Sequence, residues 1–331
     1  MNSAHRLCVA PMMDCTDRHC RYFLRQVSSG AFLYTEMITT GALLHGDVAR
    51  HLAFSAEEHP LGVQLGGSEP DELAACAKLG EQYGYDEINL NIGCPSERVQ
   101  RGAFGACLMA EPELVADCVR AIREAVRIPV TVKHRIGLNA MEDFSFMERF
   151  VRTVSAAGCR TFIVHARNAV LKGLSPKQNR EVPPLNHEFV YRLKKDFPAL
   201  EIVLNGGIAS WPSIEKHFAH VDGVMLGRAA YHDPWVIADR GRTREDVVVK
   251  MRQYSENAIF KRTSLRHVVR HMLGLYHGHP RARLWRRMLS DPVRLSQNDP
   301  GLLLEALEAV ESGPKEIADE RRTQATQAEA R

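Results

Sequence analysis

The chain has no C-x-x-C pair, no long apolar run, no glycine-rich fingerprint after its first apolar segment, and no acidic residue between Asn257 and Ser290. Its eight cysteines (Cys8, Cys15, Cys20, Cys76, Cys94, Cys107, Cys118 and Cys159) are scattered through apolar and helical segments. Without paired spacing they exclude a zinc ribbon or an iron–sulfur site, and reduced cytoplasmic thiols account for them better. Cys15, His19 and Cys20 are read the same way, so no metal is expected. No stretch is long and apolar enough to span a bilayer or to serve as a secretory leader, so no membrane is expected and a cytoplasmic location is. The missing G-x-G-x-x-G speaks against a doubly wound dinucleotide fold.

What is present is an alternation. Short apolar runs at Leu7–Ala10, Phe32–Glu36, Leu61–Leu65, Glu87–Asn91, Val130–His134, Thr161–His165, Ile202–Asn205 and Gly223–Leu226 read as strands. Amphipathic segments lie between them. From Pro112 to Val126, Leu114, Val115, Cys118, Ile122 and Val126 recur at helical spacing behind a first-turn proline. Eight such units in about 240 residues match an α/β fold of the (β/α)8 TIM-barrel type. After Trp235 the alternation gives way to helical patterns up to about Val310. The 331 residues thus divide into a barrel over 1–240, a small all-helical domain over 241–312 and a polar tail over 313–331, with Pro314 to Arg331 expected to be disordered.

Barrel enzymes collect their chemistry at the carboxyl ends of the strands. Here those ends carry Pro11-Met12-Met13, Glu36-Met37, Gln64, Asn91 with Cys94, Lys133 with Arg135, His165, Asn205-Gly206-Gly207 and Gly227-Arg228. Each has an ordinary explanation alone: a solvated cap, a structural histidine, a buried thiol. Together they form a donor-rich mouth. Cys94 follows a buried run and is flanked by Gly93 and Pro95, and Gly102 and Gly105 allow a mobile loop after it. The loops after the last two strands, Asn205-Gly206-Gly207-Ile208 and Gly227-Arg228-Ala229, fall where barrels bind phosphate through backbone N–H groups, with Arg228 a further cation. Phosphate alone also fits sugar-phosphate isomerases and Schiff-base aldolases. Donors from Gln64, Lys133 and His165, with Pro11, Met12 and Met13 as an apolar bed, suit a flat flavin ring.

The motifs APMMDCTDRHCR (10–21), TEMITTGAL (35–43), VQLGG (63–67), NLNIGCP with GAFGA, VKHRIG (132–137), FIVHAR (162–167), LNGGI (204–208) and MLGRAAYHDPW (225–235) resemble the tRNA-dihydrouridine synthase family from about Leu7 to Arg287. GLSPKQNREVPPL (173–185) resembles the branch acting at tRNA positions 20 and 20a. The resemblance implies an FMN-bearing barrel, a helical RNA-binding domain, tRNA as substrate and NADPH as reductant. It implies FMN contacts at Pro11, Met12, Met13, Gln64, Lys133, His165, Asn205, Gly206, Gly207, Gly227 and Arg228, a catalytic acid at Cys94 and a lid residue at Phe104.

The chemistry suits these residue types. A uracil C5=C6 bond accepts hydride at C6, and C5 then needs a proton from the opposite face. An ordinary thiol is almost wholly protonated at neutral pH and can supply it. A covalent attack by the thiol at C6 is the alternative. Lys133, Arg135, His165 and Asn91 are placed to hold the carbonyls.

The acid-free stretch from Asn257 to Ser290 contains Lys261, Arg262, Arg266, Arg270, Arg281, Arg283, Arg286 and Arg287. Arg262, Arg266 and Arg270 are spaced to share one helix face, with His267, His271, Tyr276 and Trp285 as stacking surfaces. Such a basic set is the footprint of a phosphate backbone, and Lys177 and Arg180 extend it. A small-molecule flavin oxidoreductase like dihydroorotate dehydrogenase and a catalytically silent RNA-binding module remain open, and a monomer is expected.

Overall fold

The computed structural model describes residues 4–96, 99, 102–139 and 143–312, so the tail expected from Pro314 to Arg331 lies outside the described residues. The chain divides into two compact units, Met1–Ala230 and Tyr231–Arg331.

The first unit is built on eight parallel strands: β1 (Leu7–Val9), β2 (Leu33–Thr39), β3 (Leu61–Gly66), β4 (Glu87–Ile92), β5 (Val130–Arg135), β6 (Thr161–His165), β7 (Glu201–Asn205) and β8 (Gly223–Leu226). Each pairs with its neighbour in chain order, β1 pairs with β8, and an isolated bridge from Cys8 to Phe32 joins β1 to β2. This is the expected TIM barrel. Strands β2 to β5 run one to three residues beyond their apolar runs, because ladder pairing carries them on: Thr39 pairs with Gly66, and Ile92 with His134. Helix α1 (Arg18–Val27) follows β1, α2 (Thr40–His45) and α3 (Val48–Leu52) follow β2, and α4 (Pro70–Tyr83) follows β3. Helix α5 (Pro112–Ala125) ends where its pattern predicts, with the Val126 N–H on the Ile122 carbonyl. Then come α6 (Phe144–Ala156), α7 (His187–Asp196), α8 (Trp211–Phe218) and the short α9 (Arg228–His232).

Inside the barrel, Cys8, Ala10, Phe32, Tyr34, Ile163, Val203 and Met225 form an apolar cluster against which Met12 packs. A polar floor sits at the amino ends of the strands. His5 donates to Glu87 (2.6 Å) and Glu201 (3.0 Å), while the Tyr34 and Thr131 hydroxyls donate to the other Glu87 oxygen (2.9 and 2.5 Å). Burial would lower the His5 pKa, but hydrogen bonds and charge from the two carboxylates raise it to about 10.

The second unit is helical: α10 (Arg244–Phe260), α11 (Leu265–Val269), α12 (Ala282–Leu289), α13 (Pro292–Ser296) and α14 (Leu302–Glu311). Helix α14 packs against α10 and α12. Two expectations are corrected here. Arg262 has a left-handed φ of 65°, in the break between α10 and α11, and Arg270 caps α11, so Arg262, Arg266 and Arg270 do not share a helix face. Tyr276, Trp285 and His271 are not stacking surfaces. They are buried, with the Trp285 N–H on the Met272 carbonyl (2.8 Å): Trp285 shares the inward side of α12 with Leu289, while His271 and Tyr276 lie in the turns between α11 and α12. Arg283, Arg286 and Arg287 are exposed on α12, and His267 is exposed on α11.

Candidate active site at the barrel mouth

Cys94 stands two residues past β4, half-buried, and is held by its backbone. Its N–H and that of Gly93 both donate to Asn91 Oδ1 at 3.0 Å, and its carbonyl accepts from Ala106 (2.9 Å). The thiol lies 3.6 Å from Ser96 Oγ. Gly105 permits this close turn: its φ is +77°, and a Cβ there would meet the Cys94 carbonyl oxygen at 2.6 Å.

Asn91 is itself fixed from below. Its amide donates to Gln64 (2.8 Å), Gln64 donates to Asn89 (2.7 Å), Asn89 donates to Thr131 (2.8 Å), and Thr131 reaches Glu87 on the floor. A ladder of carboxamides thus runs up the barrel to the thiol's peptide. Gln64, expected at the flavin edge, is buried with its oxygen and one N–H engaged in this ladder, which leaves one N–H for a ligand.

Lys133 lies near the carboxyl end of β5 and His165 ends β6, and Lys133 Nζ donates to Asn205 Oδ1 on β7 (3.2 Å). Burial and the nearby Arg135 cation lower the Lys133 pKa to about 7, partly opposed by Cys94. Burial, with Arg135, Lys133, Arg167 and Arg180 around it, pushes His165 well below its ordinary value, so its ring is neutral. Among the described residues no carboxylate acts on Lys133 or Arg135, whereas Glu181 offsets Arg167.

Arg135 takes another position from the one expected. It is buried, and its guanidinium donates to the carbonyls of Gly93 (2.9 Å), Asn168 (3.0 Å) and Asn179 (3.0 Å). It therefore ties the Cys94 turn to the segment carrying Lys177 and Arg180, both exposed. Asn179, which sequence reasoning missed, organises that segment. Its side chain accepts from Val170 N–H (2.8 Å) and donates to the carbonyls of Val170 (2.9 Å) and Leu174 (3.2 Å). Only the Ser-Pro-x-x-Asn turn pattern hinted at it.

The loop after β7 is a cradle, with Gly206 and Gly207 at φ +113° and +76°. A Cβ on Gly206 would meet His165 at 2.7 Å, and one on Gly207 would meet Leu185 at 2.5 Å. Among the described residues the Gly207 N–H finds no acceptor. Gly227, after β8, faces Met12. Arg228 donates to Glu181 (2.5 Å) and to the Arg180 carbonyl (3.3 Å), so its side chain already has an anionic partner. Pro11 and Met12 are half-buried and Met13 is exposed, on the turn that follows β1. Phe104 packs by Gly66 at the end of β3.

The donor set suits a flavin mononucleotide. An acceptor-free N–H in a glycine loop matches a phosphate, and uncompensated cations at Lys133 and Arg135 match an electron-rich ring edge.

In the second unit, Arg262, Thr263, Ser264, Arg266, Ser290, Ser296 and Asn298 line a groove of ≈ 530 Å³ with Pro292 and Leu295. It brings together two of the arginines read as RNA contacts and leaves Arg270 outside. No acid lines it.

Residues 8–311 match the family model described as dihydrouridine synthase. The chain is 53% identical over 318 residues to a Synechocystis sp. protein named tRNA-dihydrouridine(20/20a) synthase, covering 93% of this chain and 95% of that one. Proteins of the same name from Pseudomonas aeruginosa and Escherichia coli are 53% and 54% identical, covering 92% and 93% of this chain and 95% and 96% of theirs. With a family model spanning nearly all of it and relatives matched almost end to end, the chain belongs to the dihydrouridine synthase family.

Proposed function

We propose that this protein reduces the C5=C6 bond of uridines at positions 20 and 20a of the tRNA D-loop, with FMN as cofactor and NADPH as reductant. The relatives' printed name supports the product and positions. The observation that carries the reading is a thiol held at the mouth by Asn91, beside cations on which no carboxylate acts among the described residues.

Pro11, Met12 and Met13 would bed the flavin ring, and FMN held there in its reduced form would be the source of hydride for uracil C6. The chain's own residues do the rest. Cys94 Sγ holds the proton that goes to C5. The thiolate left behind is stabilised by Lys133 and Arg135, whose charges already act on that sulfur. His165, neutral, donates a hydrogen bond rather than a full charge, and with Lys133 it holds a carbonyl on which negative charge grows. Solvent then returns the proton to Cys94. Asn205 orients Lys133, and Asn91 orients the thiol's peptide. Gly206, Gly207 and Gly227 offer backbone to the phosphate. Arg228 reaches it by exchanging Glu181.

Residues 1–240 would then form the catalytic domain and 241–312 the tRNA-binding domain. Arg262 and Arg266 in the groove and Arg283, Arg286 and Arg287 on α12 would take phosphates, with Arg270 a lesser contributor. Lys177 and Arg180 would take the D-loop, held in place through Arg135. The protein would act as a cytoplasmic monomer. Mass spectrometry of tRNA from cells with and without the gene tests this: dihydrouridine at 20 and 20a should vanish in the deletion. Its persistence there, with no second enzyme of this kind in the cell, would refute the reading.

A further inference from the structure

His187 opens helix α7 behind the Asn186 cap, and its Nε2 lies 2.9 Å from the Gly206 carbonyl oxygen. A carbonyl has no hydrogen to give, so the proton of this bond resides on His187 Nε2. The ring is braced. It meets His217 edge-on with centroids 4.7 Å apart, and His217 Nδ1 is hydrogen-bonded to the Tyr191 hydroxyl at 2.6 Å.

The bond matters because of what lies across that peptide. In a planar trans peptide the C=O and N–H point in opposite directions. A donor gripping the Gly206 carbonyl therefore sets the direction of the Gly207 N–H, the same N–H that finds no acceptor among the described residues. Both flanking residues are glycines at positive φ, so the backbone alone leaves this peptide free to rotate. We propose that His187 is a positioning residue that fixes the Gly206–Gly207 peptide so that its N–H faces the cofactor phosphate. This rests on the flavin reading above.

The test compares two ligands that differ only by the phosphate. The full-length protein, stripped of flavin by dialysis, is titrated with FMN and with riboflavin, followed by flavin fluorescence. Wild type should prefer FMN. His187→Leu, which loses the donor, should weaken FMN binding about tenfold, the scale of one hydrogen bond to a charged group, while riboflavin affinity stays within about twofold. His187→Gln, whose amide nitrogen can take the place of Nε2, should restore the preference. An unchanged FMN-to-riboflavin ratio in His187→Leu overturns the proposal. So does an equal loss of both ligands, which would mark a merely structural role. If wild type itself binds the two alike, the phosphate reading of the loop fails instead, whatever His187 does.

Discussion

The two ends of the barrel hold similar side chains in opposite states. At the floor, the His5 cation is enclosed by Glu87 and Glu201, and its pKa is raised to about 10. At the mouth, Lys133 and Arg135 are lowered to about 7 and about 10, and no carboxylate acts on either among the described residues. Burial disfavours charge at both ends. What differs is the counter-charge. The floor is complete in itself and serves stability, whereas the mouth is short of negative charge and awaits it from a ligand or a thiolate. Unmet electrostatic demand in a well-packed site separates function from structure here better than burial or residue type does.

The comparison breaks most visibly if its floor carries chemistry. His5→Leu should destabilise the protein by about 3–5 kcal/mol, as removing one partner of a buried ion pair does, yet leave flavin affinity unchanged. Urea unfolding and flavin titration measure the two sides, and weakened flavin binding at full stability would reverse the assignment. At the mouth, Cys94→Ala should slow tRNA-dependent oxidation of the reduced flavin by at least about a hundredfold. NADPH-driven flavin reduction should persist, because the thiol serves only C5. Unaltered turnover would take Cys94 out of the mechanism.

A third measurement asks whether exposed positive charge, outside these buried networks, behaves differently again. Arg262→Ala with Arg266→Ala should weaken tRNA binding and flatten its logarithmic salt dependence by roughly two units, about one per phosphate contact. Flavin content should be as in wild type. An intact salt slope would leave RNA capture to Arg283, Arg286, Arg287, Lys177 and Arg180.

The smallest effect is also the most direct test of the contrast. Folded Lys133 binds its proton less tightly than the unfolded chain does, so between about pH 7 and its ordinary 10.5 its contribution to stability rises with pH. His5 does the reverse: its contribution is complete below about pH 6.5 and is lost as pH climbs toward about 10. In flavin-free protein, Lys133→Met should therefore remove a rising component from unfolding free energies measured between pH 7 and pH 9. His5→Leu should remove a falling one. Slopes of the same sign would end the distinction.

Much of the barrel was legible from residue order. Aliphatic runs buried on both faces, spaced by amphipathic segments, leave few packings other than a closed parallel sheet, and residues at or near the strand ends such as Asn91, Lys133, His165 and Asn205 follow from where those runs stop. The spacing of Cys94 from Gly93 and Pro95 likewise announced its turn. Periodicity misled in the second unit, where helical spacing at Arg262, Arg266 and Arg270 was interrupted by a left-handed residue, and where Tyr276 and Trp285 turned inward.

By itself, then, the sequence determined the local patterns: which segments are strands, which residues close them, and where positive charge is dense. Only tertiary structure decided which donors are occupied. That Arg135 holds three carbonyls from two loops, that Gln64 belongs to a ladder rising from Glu87, that Arg228 is met by Glu181 and that His187 reaches Gly206 all depend on partners 19 to 47 positions apart in the chain. Apolar periodicity reports which way a side chain faces. A hydrogen bond needs a partner within about 3 Å, and that distance exists only once the strands have closed into a ring.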